Sequence, residues 1–168
     1  MAKTRRTNAA MRKKDLWAKL RPGPSNYMAL SPVAFLPRAA EIFPERVAVV
    51  HGKTRFTYKQ FHERALRLAS ALTKKGVKRG DVVSAMLPNV PAMLEAHYGV
   101  PMLGAVLNTI NTRLDADTVA YILEHGEAKV LITDRVVAGV VGPALKGLKP
   151  KPLVIDVDDP LYSGPGER

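Results

Sequence analysis

Four histidines are the side chains best suited to acid–base or metal chemistry, and their spacing keeps them apart. His51, His62, His97 and His125 fall in different predicted elements, and no two have the spacing of a metal-ligand pair. Glu95 is two residues from His97 on a predicted helix, which points the two side chains to different sides and makes them a poor acid–base pair. We therefore expect each histidine to be a turn, surface or satisfied core residue.

A cluster of carboxylates follows the last predicted strand. Asp156, Asp158 and Asp159 lie close together there. A calcium loop that begins at Asp156 would need a glycine at its sixth position, where Leu161 stands. The pattern favours a solvated loop over a metal site.

Gly142 and Gly147 give the nearest approach to a phosphate-binding loop. Leu148 and Lys149 stand where such a loop needs a lysine followed by serine or threonine, so the stretch predicts a helix with a loosened end. No three-glycine dinucleotide fingerprint follows a strand, and no Gly-x-Ser-x-Gly elbow is present. The chain has no cysteine, which excludes disulfides and thiolate metal sites. The residues therefore assign no catalytic, cofactor-binding or metal-binding position.

The positive charge is concentrated at the amino terminus. The 168-residue chain has a formal net charge of +11, and residues 1–21 contain eight Lys or Arg residues against Asp15 alone. Residues 1–30 are predicted to be a basic, weakly ordered tail and connector. They lack the apolar core of a secretory signal, so the expected location is the cytoplasm.

From residue 31 onward the hydrophobic pattern predicts regular elements. Ser31 and Pro32 have the types of a helix cap and first helical residue, and RVAVVHGKTRFTY predicts a β-hairpin. Thr57 and Gln60 have the spacing of a capping box and begin a helix that Gly76 ends. One face of that helix is apolar, and the other carries Lys59, Arg64, Arg67, Lys74 and Lys75 as a predicted solvated side.

The rest of the chain alternates strands with helices. The predicted strands are VVSAML, AVLN, AKVLITD and PLVIDV, and the predicted helices cover 91–104, 115–125 and 135–148. Short apolar strands separated by helices predict a parallel sheet covered on both faces. Because ligands approach the carboxyl ends of such strands, the informative loops are LPNVP, NTINTRLD and TDR.

The stretch from residue 86 to 114, MLPNVPAMLEAHYGVPMLGAVLNTINTRL, has almost no charge and raises the possibility of a membrane helix. Pro91, Pro101, Glu95, His97 and Asn108 would each be costly or disruptive within a bilayer. The stretch is instead predicted to be a buried crossover between two parallel strands, and no transmembrane segment is expected.

The order of these elements and several phrases resemble a known family. The run from SPVAFLPRAAEIFPERVAVVHGKTRFTY through LPNVPAMLEAHYGVPMLGAVLNTINTRLDADTVAYILEHGEAKVLITD is similar to the N-terminal part of AMP-forming acyl-CoA synthetases. The closest likeness is to the medium-chain fatty-acyl, plant acyl-activating and methylthiopropionate-CoA ligases. The likeness is most specific between Gly80 and Asp134. It implies an α/β fold in which a hairpin precedes an incomplete, mostly parallel sheet, with residues 31–168 forming a partial N-terminal adenylation domain.

The resemblance also implies a two-step reaction that uses ATP, magnesium and coenzyme A. A carboxylate attacks the α-phosphate of ATP to give an acyl-adenylate and pyrophosphate, and the thiol of coenzyme A then displaces AMP. The family's phosphate loop, Thr-Ser-Gly-Thr-Thr-Gly-x-Pro-Lys-Gly, is absent from this sequence, which stops at SGPGER. No catalytic residue is therefore carried over, and LPN, NTRL and GEAKVLITD are interpreted as scaffold and substrate-side features.

Three hypotheses about function follow. The first is an N-terminal piece of an acyl-CoA synthetase without ligase activity or bound cofactor of its own, whose partner is the missing C-terminal part and whose carboxylic-acid substrate binds the intact enzyme. The second is a non-catalytic acyl-binding or partner-docking module that uses an uncovered sheet edge or helix face. The third is a nucleic-acid-binding protein acting through residues 1–21.

Overall fold

The computed structural model describes residues 30–166, and nearly all of the predicted tail and connector, residues 1–30, lies outside them. A 3-10 turn, Pro32–Ala34, leads into helix α1, Phe35–Ile42. Pro37 falls in the first turn of α1, where no intrahelical partner exists for a backbone N–H, so the helix tolerates it. The short helix predicted here is confirmed.

The predicted hairpin is also confirmed. Strands β1, Val47–His51, and β2, Thr54–Thr57, are antiparallel, with a register shift between Val47 and Val49. Gly52 in the connecting turn has a φ of +57°, a conformation that glycine adopts without steric penalty.

Helix α2, Tyr58–Lys74, starts with the capping box that the sequence predicts. Thr57 Oγ1 accepts from the Gln60 N–H at 3.3 Å, and Gln60 Oε1 accepts from the Thr57 N–H at 2.9 Å. The helix ends just before Gly76, whose φ is +83°. Its buried face consists of Phe61, Ala65, Ala69 and Leu72.

Four parallel strands form the main sheet in the order β4-β3-β5-β6. The strands are β3, Val82–Met86; β4, Val106–Thr109; β5, Ala128–Asp134; and β6, Leu153–Val157. The connecting helices are α3, Pro91–Gly99; α4, Ala116–His125; and α5, Ala138–Leu145. The mostly parallel α/β fold with a preceding hairpin is confirmed.

Two predicted helices are shorter than expected. The stretch 91–104 is α3 followed by a 3-10 turn, Pro101–Leu103, because Pro101 lacks the N–H needed to continue the helix. The stretch 135–148 begins as a 3-10 turn, Arg135–Val137, and its α-helical part ends at Leu145.

Helices cover both faces of the sheet, as the crossover rule predicts. On one face, Val83 of β3 and Ile132 of β5 pack with residues of α2 and α3, including Leu72 and Ala96. On the other face, Leu131 packs with residues of α4 and α5, chiefly Val119, Leu123 and Val141. Each fully buried aliphatic side chain of this size contributes about 1.5–3 kcal/mol. Strand β5 therefore contributes side chains to the hydrophobic cores on both faces of the sheet.

Helices α2 and α3 meet at an ion pair that corrects the assignment of Arg64 to a purely solvated side. Arg64 Nε donates to Glu95 Oε1 at 2.5 Å, and Arg64 also lies over the Phe56 ring at 4.5 Å from its centroid. The sequence alone missed this pairing because the partners are 31 residues apart. Glu95 is buried and His97 on the same helix is exposed, so the prediction that they face different sides is confirmed.

The low-charge stretch 86–114 is confirmed as a crossover, since it contains α3 and connects β3 to the neighbouring parallel strand β4. Within residues 30–166, no helix combines the length and apolar character needed to cross a bilayer.

Candidate functional site

The carboxyl ends of the four parallel strands lie at one edge of the sheet, and this edge is the candidate site. From β3 the chain crosses to β4 on one side, whereas from β5 it crosses to β6 on the other side. The sheet therefore has its topological switch point between β3 and β5, where ligands of open α/β sheets bind. The loops LPNVP and TDR, singled out from the sequence, follow these two neighbouring strands.

Two buried polar residues end β5 at this point. Thr133 is 0% exposed and Asp134 is 1% exposed, and they lie beside Met86 of β3 and Val157 of β6 respectively. Asp134 Oδ1 accepts from the Val136 N–H at 2.9 Å, which caps the following 3-10 turn. Within residues 30–166, Asp134 Oδ2 and Thr133 Oγ1 have no hydrogen-bond partner.

An unpartnered buried polar atom is energetically unfavourable, by about 1–3 kcal/mol for a neutral group and more for a charged one. Thr133 and Asp134 therefore mark the carboxyl edge as a place where further hydrogen-bond donors and acceptors are needed. The sequence identified the loop TDR, which contains both residues, but not that their side chains would be buried and unpaired. A Thr-Asp pair after a strand is also a common turn sequence.

The loop after β4 uses its polar side chains internally. Asn111 Oδ1 accepts from the Arg113 N–H at 3.0 Å, and Asp115 caps α4 by accepting from the Thr118 N–H at 2.8 Å. Earlier in the strand, Asn108 Nδ2 donates to Ser84 Oγ on β3 at 3.3 Å. These contacts agree with the interpretation of NTRL as scaffold.

Two members of the predicted carboxylate cluster are paired with an arginine and a histidine side chain. Asp158 accepts from Arg135 at 3.1 Å, and Asp159 lies 3.0 Å from His51 Nε2 at the end of β1. The Leu161 N–H, and after it His51, lower the pKa of Asp159. In the described part of the chain, no group of three or more His, Asp or Glu residues has an arrangement that could hold a metal ion.

Two of the other histidines are engaged locally. His97 Nδ1 is 2.8 Å from the Met93 carbonyl one turn earlier, and His125 stacks on Tyr121 with 5.3 Å between ring centroids. His62 is half-buried on α2. These positions agree with the surface and core roles expected for them.

A cleft of about 770 Å³ opens beside the carboxyl edge. Its lining includes Arg135, Gly139 and Tyr162. The guanidinium of Arg135 is paired with Asp158, and Gly142 lies inside α5, so neither forms a phosphate cradle. The prediction that the Gly142–Gly147 stretch is a helix with a loosened end is confirmed.

Comparison with protein families gives a match across most of the chain. The model described as "AMP-binding enzyme" matches residues 36–165, which include the hairpin and the whole parallel sheet. The chain belongs to the AMP-binding enzyme family. The resemblance stated from the sequence is confirmed.

Relatives in this AMP-binding family include plant acid–CoA ligases. The chain is 45% identical to the peroxisomal butyrate–CoA ligase AAE11 of Arabidopsis thaliana over 140 residues, 80% of this chain and 24% of that protein. It is 50% identical to the peroxisomal benzoate–CoA ligase of the same plant over 111 residues, 66% of this chain and 19% of that protein. The chain thus spans about a quarter or less of these relatives.

Solved structures of the family show the same fold. The Mycobacterium tuberculosis fatty acyl CoA synthetase matches with a TM-score of 0.67 and 34% identity, over 76% of this chain and 26% of that one. The N-terminal domain of FACL13 from the same organism matches with a TM-score of 0.69 and 33% identity, over 74% and 33% respectively. The sheet and hairpin are therefore those of an adenylate-forming N-terminal domain.

Proposed function

We propose that residues 31–168 are the first part of the adenylation domain of an AMP-forming acid–CoA ligase. The observation that carries this proposal is the family match over residues 36–165, together with the identity to plant acid–CoA ligases. The complete enzyme would join a carboxylic acid to coenzyme A by way of an acyl-adenylate, using ATP and magnesium.

The substrate class follows from the names of the relatives. Those proteins are named as ligases of butyrate, benzoate and trans-cinnamate, all of which are monocarboxylic acids with an apolar body. A short- or medium-chain fatty acid or an aromatic acid is therefore the proposed substrate. With a fatty acid as substrate, the enzyme would take part in fatty-acid metabolism.

The chain by itself is proposed to lack ligase activity and to bind none of the three cofactors. Supporting this, the Gly142–Gly147 stretch forms no phosphate cradle because Gly142 lies inside α5, and the buried carboxyl group at the switch point, Asp134, would repel phosphate when ionised. The proposed partner is the polypeptide that follows the matched region in the relatives.

ATP–pyrophosphate exchange with a panel of carboxylic acids tests the proposal. The purified chain should give no exchange. A single-chain chimera, in which this chain is continued by the remainder of the Arabidopsis benzoate–CoA ligase, should give exchange with at least one acid. Exchange by the chain alone would contradict its proposed inactivity, and a folded chimera that is silent with every acid would contradict the proposed function.

The domain boundary and the location are parts of the same proposal. Deleting residues 1–30 should leave the melting temperature of the remainder unchanged, whereas a large drop would place those residues inside the domain.

A cytoplasmic location is proposed, although relatives such as AAE11 are named as peroxisomal. Fractionation of the source cells, with a peroxisomal marker as the control, distinguishes the two compartments.

A further inference from the structure

The amino ends of the parallel strands carry a concentration of positive charge. The segment that joins α2 to β3, KKGVKRGD, contributes four cations, and the loop before β6, KPKP, contributes two more. These six exposed side chains form the basic amino edge: Lys74, Lys75, Lys78, Arg79, Lys149 and Lys151. Because both segments lead into the first residues of strands, this edge lies opposite the carboxyl edge that forms the candidate site.

The two basic segments border one cleft of about 590 Å³. Gly80 and Asp81 line it from the first segment, Lys149 and Lys151 line it from the second, and Lys129 of β5 also lines it. The two segments are therefore neighbours on one surface, although they are far apart in the sequence.

The first of these segments has a fixed backbone. Lys129 Nζ donates to the Gly76 carbonyl and to Asp81 Oδ2, each at 2.7 Å. The Gly80 N–H donates to the Gly104 carbonyl at 2.9 Å. The cations of this segment thus project from an ordered loop, which lowers the entropic cost of binding a partner.

The positive charge of the basic amino edge is not neutralised within residues 30–166. None of its six side chains has an ion-pair partner there, and Asp81 is already paired with Lys129. Glu124 and Glu127 are the other acidic residues that line the cleft. The carbonyl end of α2 stabilises cations near Lys74 and Lys75, but it does not account for the remaining four. Such an excess of one sign of charge favours an anionic partner.

The composition of this surface favours lipid head groups over nucleic acid. Neither basic segment contains an aromatic residue on which bases could stack. Val106, the first residue of β4, is 51% exposed, and its N–H donates to the Asp81 carbonyl at 2.9 Å, so an apolar side chain lies beside the cations. Cations next to an exposed apolar side chain match a bilayer interface, where phosphates lie above acyl chains.

We infer that the basic amino edge binds the phosphate-bearing head groups of an anionic phospholipid surface. This inference goes beyond the proposed ligase function and does not depend on it. A chain bound in this way lies on the bilayer surface, with the carboxyl edge of its sheet directed away from the lipid.

Co-sedimentation of the full chain with vesicles tests the inference. The chain should bind vesicles of phosphatidylcholine with about one-third phosphatidylglycerol, and not vesicles of phosphatidylcholine alone. Binding should weaken as salt is added, because salt screens the attraction. Replacing four cations by glutamine should raise the Kd for the anionic vesicles at least about tenfold. The four replaced residues are Lys78, Arg79, Lys149 and Lys151.

A matched variant controls for total charge. It replaces four other exposed cations by glutamine, and its Kd should rise less than about threefold. These residues are Arg38, Lys53, Lys59 and Arg67. Both variants retain residues 1–21, so the positive charge of the amino terminus is the same in each. Since all eight positions are exposed, both variants should melt close to the unaltered protein.

Chemical labelling of lysines in the unaltered protein gives a second readout that needs no variant to fold. With anionic vesicles present, Lys78, Lys149 and Lys151 should react with an amine reagent at least about threefold more slowly. Lys53 and Lys59 should keep nearly the same rate.

Selective loss of binding in the first variant, together with selective protection of its lysines, supports the inference. Equal losses in the two variants, or equal protection of Lys53 and Lys78, overturns it. If the first variant loses retention on duplex DNA but keeps its affinity for vesicles, the edge binds nucleic acid and the inference is wrong. No arm uses ligase activity, so failure here leaves the proposed function standing.

Discussion

Arg64 on α2 donates from Nε to the buried carboxylate of Glu95 on α3 at 2.5 Å, and this contact joins two helices on the same face of the sheet. The side chain of Glu95 is only 11% exposed, whereas that of Arg64 is 37% exposed. The pair is therefore asymmetric, since Glu95 depends on Arg64 more than the reverse.

Removing Arg64 should destabilise the protein more than neutralising Glu95. Arg64→Ala leaves a buried carboxylate without its partner and should lower the free energy of unfolding by about 2 kcal/mol. Glu95→Gln keeps a hydrogen-bonding group without a charge and should lower it by about 1 kcal/mol or less. Urea denaturation with a constant m-value measures both, and equal losses would argue against the asymmetry.

Gly99 sets the closeness of α2 and α3. A Cβ added there would lie 2.9 Å from the Ala65 carbonyl oxygen and 3.0 Å from Leu68 Cδ2. Because backbone atoms cannot move aside cheaply, Gly99→Ala should lower the free energy of unfolding by about 1–3 kcal/mol.

Gly139 is the matched control for that substitution. It lies near the start of α5, is exposed, and would have no atom within 4 Å of an added Cβ. Gly139→Ala should raise the free energy of unfolding by about 0.5–1 kcal/mol through helix propensity and reduced freedom of the unfolded chain. Thermal melting of the two variants should shift in opposite directions, and a shared direction would contradict the packing argument.

Acid should weaken the fold through Asp81. The Lys129 ammonium at 2.7 Å, and after it the Lys78 N–H, hold the pKa of Asp81 below its usual 3.8. A carboxyl group with a lowered folded-state pKa stabilises the protein above its unfolded pKa, and this stabilisation is lost as the pH falls through the folded value.

The pKa values of Asp115 and Asp159 are lowered as well, so the loss should be visible as a falling urea midpoint from about pH 5 to about pH 3. Asp81→Asn should reduce stability at neutral pH and give a shallower fall in acid. Asp158→Asn serves as the control, since the Asp158 side chain is 81% exposed and surface ion pairs contribute little. The prediction would be contradicted if the urea midpoint of Asp81→Asn fell with decreasing pH as steeply as that of the unaltered protein.

The capping box of α2 should be measurable on its own. Thr57→Ala removes the acceptor for the Gln60 N–H and should lower the free energy of unfolding by about 1 kcal/mol. Thr57→Ser retains the hydroxyl and should lose much less. Denaturation midpoints of the two variants distinguish loss of the cap from loss of the methyl group.

Patterns of residue type over short stretches of sequence were sufficient to predict much of this fold. The predicted strand AKVLITD has the same bounds as β5, and the capping box at Thr57 and Gln60 forms as its spacing requires. The hairpin and the βαβ alternation also follow from patterns a few residues long. These features depend on neighbours in sequence, which a single chain displays directly.

Contacts between distant residues could not be predicted in the same way. The pairing of Arg64 with Glu95 requires knowing that α2 and α3 share a face, and the strand order β4-β3-β5-β6 requires knowing the direction of each crossover. For the site, the sequence located the carboxyl-edge loops. It did not show that Thr133 and Asp134 would be buried with unpaired oxygens, since burial depends on the surrounding strands.

The contact between His51 and Asp159 has a consequence for how this protein is made. The two residues are 108 positions apart, and Leu161 packs against Gly52 in the same hairpin turn. On a ribosome that adds about 5–20 residues per second, Asp159 and Leu161 would be synthesised about 5–20 s after the hairpin. The hairpin of β1 and β2 is thus synthesised early but gains these two contacts only near the end of synthesis. Translation arrested before Asp159 would release a chain whose hairpin turn lacks both contacts.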